Sequence, residues 1–348
     1  MKVKARKIIV STMRIALGFG VAAFLLNKVF DKKSFLEQIN NCDVKYLVAL
    51  PPLFATVLVL TFVRWRKLLQ VLEINLPFWD VFRLGMIGSF FNGSLPGAVS
   101  GDVVKIIYVR KHAPDKKTEA ILTMFLDRLL GLFGLLTVAI VACMINIQSI
   151  MQADGRIKTY AGFVGIVSLL GVCGFLTLLF RTLLMRMPGI SHLVNWFEKV
   201  FPKSVNDVFK RIVNALDLYR GNLRTVGFAF ILSILVHVMN AGMLVCAARG
   251  IREDKVSVPE YFLVTQVCNA LASIPLSPGG TGVREIITKD FLIRFNSEVD
   301  KDKAAVVPIL VAMTMYFWFM IGGVFFVIGK TGAVDEPPTT AIIKEAED

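Results

Sequence analysis

Six apolar stretches long enough to cross a bilayer dominate this chain and leave it few folds. They run over 8–26, 46–63, 118–145, 158–180, 223–247 and 304–328. Helix rises ~1.5 Å per residue, so about twenty residues match a ~30 Å hydrocarbon core. No water is present there to satisfy backbone N–H and C=O groups, and continuous apolar runs therefore read as helices. The expected fold class is an all-α polytopic membrane protein. With 55% hydrophobic residues, the 348 positions are spent on spans and short loops rather than on a sizeable soluble domain. The basic start Met1-Lys2-Val3-Lys4-Ala5-Arg6-Lys7 precedes no small-x-small cleavage site, so 8–26 is read as an uncleaved first span. Five cysteines, mostly inside apolar runs, show neither disulfide nor zinc spacing and are read as packing residues.

Two shorter apolar pieces, 78–91 and 258–272, reach only ~22 Å as helices. Each leads into a proline- and glycine-rich break followed by a short helical piece, 102–111 or 283–294. The first break is Asn92-Gly93-Ser94-Leu95-Pro96-Gly97-Ala98-Val99-Ser100-Gly101-Asp102. The second is Ser273-Ile274-Pro275-Leu276-Ser277-Pro278-Gly279-Gly280-Thr281-Gly282-Val283-Arg284-Glu285. Proline removes backbone donors and glycine is costly inside a helix, so neither is continuous helix. Irregular backbone at membrane depth must be buried in protein or line a wet cavity, and paired breaks in two halves point to a transporter's binding site. Both pieces are read as re-entrant hairpins; arms that cross fully are the alternative, and so is the reading of the breaks as plain loops.

Lysine and arginine placement gives the orientation. With the N-terminus inside and hairpins returning to their own side, inner segments carry 22 basic residues and outer segments 14. Both termini are then cytoplasmic. The expected first repeat is 1–145 with its hairpin at 78–111, and the second is 158–328 with its hairpin at 258–294. The two are inverted and offset at the breaks, Pro96 against Pro278. Residues 181–222 are read as an amphipathic cytoplasmic insert that also serves as a structural linker between repeats, with eight basic residues over 181–224 suiting an anionic leaflet. The polar tail 329–348 is expected to be disordered.

Charges inside the apolar segments carry the functional reading. Asp127 and Arg128 lie about ten residues into the third span. Adjacent helical positions point ~100° apart, so each needs its own partner, either to lock the bundle or to serve a polar centre. Lys105 follows the first break, and Arg284 and Glu285 follow the second. A helix starting after a glycine-rich turn offers free N–H groups to an anion. Asp102 would cap the first such helix. Lys105, Arg128 and Arg284 together suit a lipid phosphate, with Asp127 and Glu285 orienting them; sequence alone does not show that they converge. His237 and Asn240 lie one turn apart, and His237 is read as a satisfied structural group in preference to a ligand or proton relay.

Leu95-Pro96-Gly97…Gly101-Asp102…Lys105, Asp127-Arg128…Gly131 and Ser277-Pro278-Gly279-Gly280-Thr281-Gly282-Val283-Arg284-Glu285 resemble the lysylphosphatidylglycerol synthase transmembrane-region family, also called flippase-like integral membrane proteins. Ala98-Val99-Ser100, Lys105 and Asp127 depart from its usual glycine, arginine and glutamate, yet keep small size or charge. The resemblance implies lipid translocation without naming the lipid. Pro96, Gly97, Gly101, Asp102, Pro278, Gly279, Gly280 and Gly282 then join the charged residues as the substrate-binding set. Bifunctional members carry a soluble aminoacyl-transferase domain after the membrane part. This chain runs to Asp348 with none, so lysyl transfer by it alone is not expected.

No complete enzyme motif stands out: Asp300-Lys301-Asp302 is a DxD triplet in a charged loop, read against a glycosyltransferase metal site, and Ser100-Gly101 with His237 lacks the glycine and the orienting group of an intramembrane serine protease. Gly322–Thr331 approaches a P-loop but places Val324 where glycine is required, and no zinc-protease motif exists. No cofactor, metal or nucleic-acid partner is expected. The expected function is movement of an anionic phospholipid or polyprenyl-phosphate lipid between leaflets of the cell membrane. A separate lipid-modifying synthase is a candidate partner. The alternative is a non-transporting accessory or enzyme subunit in lipid or cell-envelope glycoconjugate synthesis.

Overall fold

The computed structural model describes residues 32–94, 100–179, 219–272 and 282–328. Among them are eleven α-helices and no strand. In chain order these are α1 (Lys32–Asn40), α2 (Val44–Val71), α3 (Phe78–Ser94), α4 (Ser100–His112), α5 (Lys117–Ile145) and α6 (Ile147–Gln152). They continue with α7 (Gly155–Leu179), α8 (Leu223–Gly250), α9 (Val258–Ala272), α10 (Val283–Phe295) and α11 (Lys301–Ile328). Five of these, α2, α5, α7, α8 and α11, are long and apolar enough to cross a membrane. They fall on five of the six expected spans. The expected span 8–26, the insert 181–222 up to Tyr219 and the tail 329–348 lie outside the described residues.

One boundary is corrected. The run Arg64-Trp65-Arg66-Lys67 reads in sequence as a basic exit from the membrane, but α2 continues to Val71. Arg64 and Trp65 are buried in it. The first break is also shorter than expected. Asn92, Gly93 and Ser94 are still helical, and α4 begins at Ser100.

The loops gather at two ends of the bundle. At the first, the Asp43 N–H donates to the Gly250 carbonyl at 2.6 Å. Asn146 Nδ2 donates to the Pro259 carbonyl and Ser149 to Glu260. Asn296 Nδ2 donates to the Lys255 carbonyl, Lys303 Nζ to the Arg252 carbonyl, and Arg294 pairs with Asp154 at 3.1 Å. The Arg156 backbone N–H, then the Arg294 side chain, hold the Asp154 carboxyl below its usual range. That stabilising contribution is present above the unfolded pKa and is lost as pH falls through the lower folded value. At the second end, Lys116 Nζ bridges the Leu72 carbonyl and Glu73 at 3.0 Å, and Tyr219 donates to the Leu68 carbonyl. Helices α2, α5 and α8 run between these two ends, as does α11, whose last turns meet α3 through Trp79–Phe325 and Phe91–Phe326.

The four short helices form two pairs. The α3–α4 pair starts and finishes at the Glu73 end, beside the Leu72–Lys116 contact. The α9–α10 pair starts and finishes at the Asp43 end, where Pro259, Arg294 and Asn296 are held. Helices of 13 to 17 residues measure only ~20–26 Å. The α3–α4 crossing is so close that a Cβ on Gly101 would lie 1.9 Å from the Gly88 carbonyl oxygen. Asn92 Oδ1 accepts from the Gly101 N–H at 2.8 Å and fastens the two arms.

Apolar side chains point both inward and outward, as lipid surroundings require. Phe62, Trp65, Met86, Leu126 and Phe291 fill the interior. Phe163, Ile166 and Leu170 on α7, with Phe317, Met320 and Val324 on α11, are exposed. Glycines set the tightest internal contacts. A Cβ on Gly322 of α11 would sit 2.2 Å from the Met86 carbonyl oxygen of α3, whereas one on Gly227 meets nothing within 4 Å. Overpacking such a contact costs about 1–3 kcal/mol. Gly322→Leu is therefore expected to lower the melting temperature in detergent by several degrees, and Gly227→Ala to leave it unchanged or raise it slightly.

Candidate functional site

Two polar clusters occupy the interior of this apolar bundle. In the first, Arg64 of α2 makes a two-pronged pair with Asp127 of α5, Nε to Oδ1 at 2.7 Å and Nη2 to Oδ2 at 3.0 Å. Its Nη1 donates to Ser233 Oγ of α8 at 2.8 Å, so one guanidinium joins three long helices. Arg64 and Asp127 are each only 6% exposed. Planar fork against carboxylate is the strongest geometry available to such a pair, and it is needed, because a charge buried alone is costly.

Arg128, the next residue, points elsewhere, as the helical rotation requires. Its Nε donates to Asp102 Oδ2 of α4 at 2.6 Å. Asp102 is buried, while the Arg128 side chain is about half exposed at 49%. The other Asp102 oxygen lies 3.7 Å from Lys105 Nζ, one turn along α4. Lys105 is buried, and its ammonium sits 5.3 Å from the Trp65 ring centroid, within range of a cation–π contact. Gly88 leaves room for it, since a Cβ there would come 2.5 Å from Lys105 Cε. Counting formal charges, three cations and two carboxylates leave this cluster with one net positive charge. The only cation of the cluster that is substantially exposed is Arg128.

The second cluster lies on α9 and α10. Arg284 Nη2 donates to Glu285 Oε1 at 2.8 Å, and Glu285 is fully buried. The other Glu285 oxygen accepts from the Gly282 N–H and caps α10. Gly282 has φ of 83°, a left-handed value that suits glycine. Arg284 opens into a pocket with Asn240, Thr265, Asn269 and Thr288, walled by Leu244, Pro308, Val311 and Met315.

Depth relates the two clusters. Asp102, Asp127 and Ser233 are each ten residues, ~15 Å of helix, from the Glu73 end. Asn240 and Glu285 are ten residues, ~15 Å, from the Asp43 end. Helix α8 joins them. Ser233 serves the first cluster and Asn240 the second, with His237 between, on one face over ~10 Å. Among the described residues, no group of histidine, cysteine and carboxylate side chains has metal-binding geometry.

These positions bear on the residues singled out in sequence. Asp102, Lys105, Asp127, Arg128 and Gly101 come together. Arg284, Glu285 and Gly282 form a separate group, so the three basic residues do not converge on one point. Pro96, Gly97, Pro278, Gly279 and Gly280 lie outside the described residues. The N–H groups of Gly101 and Gly282, expected to be open to an anion, are taken by Asn92 and Glu285. Asp102, expected as the cap, stands inside α4, which begins at Ser100, and meets Arg128 and Lys105. Asp127 orients Arg64, a residue the sequence assigned to a loop. A signal for Arg64 existed: it continues the seven-residue phase of Leu50 and Val57, both buried.

A bundle of apolar helices with paired charges at mid-depth is the architecture of an integral membrane protein. The chain belongs to the family described as "Lysylphosphatidylglycerol synthase TM region", whose model matches residues 13–334. It is also similar to the UPF0104 membrane protein PH1989 of Pyrococcus horikoshii, at 19% identity over 307 residues, covering 83% of this chain and 88% of that one.

The Arg64–Asp127 pair is expected to hold the fold. Unpairing one buried partner costs about 3–5 kcal/mol, so Arg64→Leu should sharply lower the detergent melting temperature. The double change Arg64→Leu with Asp127→Leu should recover most of that loss, because no orphaned charge remains.

Proposed function

We propose that this protein moves an anionic lipid between membrane leaflets, with Arg128 as the group that first meets the headgroup phosphate. The observation that carries the reading is the state of that side chain. Arg128 is half exposed within a membrane bundle, and among the described residues only Asp102 accepts from it. Its remaining N–H donors suit two phosphate oxygens at once. The net positive charge of the cluster favours an anion, and Lys105 behind Asp102 adds to the field.

The architecture supports the same reading. In it, α3–α4 and α9–α10 are re-entrant hairpins that dip from opposite faces of the cell membrane, and the two halves are inverted repeats. Six spans, counting 8–26 as read from sequence, would leave both termini on one side, and the basic-residue bias makes that side the cytoplasm. Burial of Arg64 and Lys105 removes two residues from the inner basic count, and burial-side placement of Arg284 removes one from the outer; the inner excess persists. Broken helices at a repeat interface are the setting in which transporters hold substrate at mid-depth. Membership of a membrane-region family agrees with a lipid substrate.

Two measurements test this. Purified protein in vesicles with a fluorescent anionic lipid should accelerate its exchange between leaflets. Arg128→Gln should slow that exchange about tenfold or more, the loss of a charge-assisted phosphate contact; Arg128→Lys should slow it less, and neither should change melting by more than a few degrees. Wild-type vesicles that bind the lipid but never move it would favour the accessory-subunit reading instead. Separately, cysteines at Lys111 and Arg294 should react with impermeant reagents from opposite sides of sealed cells; reaction from one side would overturn the inverted arrangement.

A further inference from the structure

We propose that His237 is a proton-binding site linked to anion binding at the Arg128 cluster, so that an anionic headgroup is taken up together with a proton. This rests on the reading that Arg128 receives the headgroup. His237 sits on the polar face of α8 between Ser233 and Asn240, and thus between the two clusters. Its Nε2 lies 3.0 Å from the Gly131 carbonyl of α5. A carbonyl only accepts, so Nε2 carries the hydrogen and Nδ1 presents a lone pair. That Nδ1 is buried, and among the described residues no group pairs with it. Gln266 of α9, fully buried, donates to the His237 carbonyl at 3.3 Å, and its own Oε1 is likewise unpaired. Two buried acceptors without donors thus belong to residues that one hydrogen bond joins across α8 and α9. What this place lacks is a proton, and protonation of Nδ1 supplies one while forming no bond other than N–H.

The charges around His237 explain why the proton would arrive with an anion. From α2, the Arg64 guanidinium packs against the same Gly131; a Cβ there would be 3.5 Å from Nη1. From α5, Asp127 is engaged by Arg64, and Arg128 follows it. On α9, Cys268 lines the pocket, while Glu260 is held at the Asp43 end by Ser149 and Ser257. Over 304–328, α11 carries no charged residue, and Tyr316 is its only tyrosine. Arg284 and Glu285 pair with each other and cancel formally. The unbalanced charge facing His237 is therefore the single positive charge of the Arg128 cluster, which opposes an imidazolium. A phosphodiester bound at Arg128 cancels it. Linkage is reciprocal, so a proton at His237 strengthens anion binding by the factor by which the anion strengthens protonation, commonly ~5–150-fold.

The test uses the full chain in nanodiscs of phosphatidylcholine, titrated with short-chain phosphatidylglycerol by calorimetry in two buffers of different ionisation enthalpy. Wild type should take up part of a proton per lipid bound and bind severalfold more tightly at about pH 5.5 than at about pH 8. His237→Gln should show no uptake and a flat pH dependence. In case that variant does not fold, nitrogen NMR of wild type provides a second readout. The chain has three histidines, and one Nδ1 resonance should titrate at higher pH once lipid is added. Binding without proton uptake, or uptake that persists in His237→Gln, overturns the linkage while leaving the headgroup reading intact. No binding at any pH overturns both.

Discussion

The fork of Arg64 on Asp127, with Ser233 as its third contact, is the interaction on which the remaining structure depends. Among the described residues it joins all three of α2, α5 and α8 by directional bonds, whereas the His237 contact with the Gly131 carbonyl joins only α8 and α5. Apolar surfaces in lipid have little preference for one another, so packing alone sets helix rotation weakly. A two-pronged pair fixes it. Once Asp127 is turned toward α2, the rotation of α5 sends Arg128 toward α4, and the second ion pair follows from the first.

That division of labour separates the two neighbouring charges. Asp127 is spent inside the fold, shielded and matched. Arg128 is held through one nitrogen and keeps the rest of its fork in a half-exposed position. Glu285 and Arg284 repeat the pattern on α10, where the carboxylate caps the helix and the guanidinium faces a pocket. In both clusters a buried carboxylate positions a cation that reaches outward. Helix α8 contributes to each, Ser233 as a partner of Arg64 and Asn240 as part of the pocket wall beside Arg284.

Much of this was legible before any coordinates. Long apolar runs have one stable form in lipid, so α2, α5, α7, α8 and α11 could be read from composition and length. Asp127 and Arg128 stood out because charges at that depth are rare. The reading failed where a charge looked like a boundary. Arg64 sits in a basic run, and the positive-charge rule assigns such runs to loops; only its phase with Leu50 and Val57 places it inside. Convergence was also beyond reach. Lys105 and Arg128 meet through Asp102, and Arg284 does not join them, because the α9–α10 pair is anchored at the opposite end of the bundle. Sequence spacing carries no information on that choice.

The Arg64 contacts are also widely separated along the chain, with Asp127 lying 63 residues and Ser233 169 residues further on. Synthesis proceeds from the N-terminus, so α2 reaches the bilayer while both partners are still unmade. Arg64 lies seven residues, ~10 Å, from the end of its helix. That is close enough for a long side chain to stretch to the headgroup layer and stay hydrated while it waits. The arrival of α5 draws it inward, and α8 completes the set. The order of emergence thus becomes an order of assembly, in which a helix tolerated at the interface by its flexible cation is locked in register only when the second half of the chain has been made.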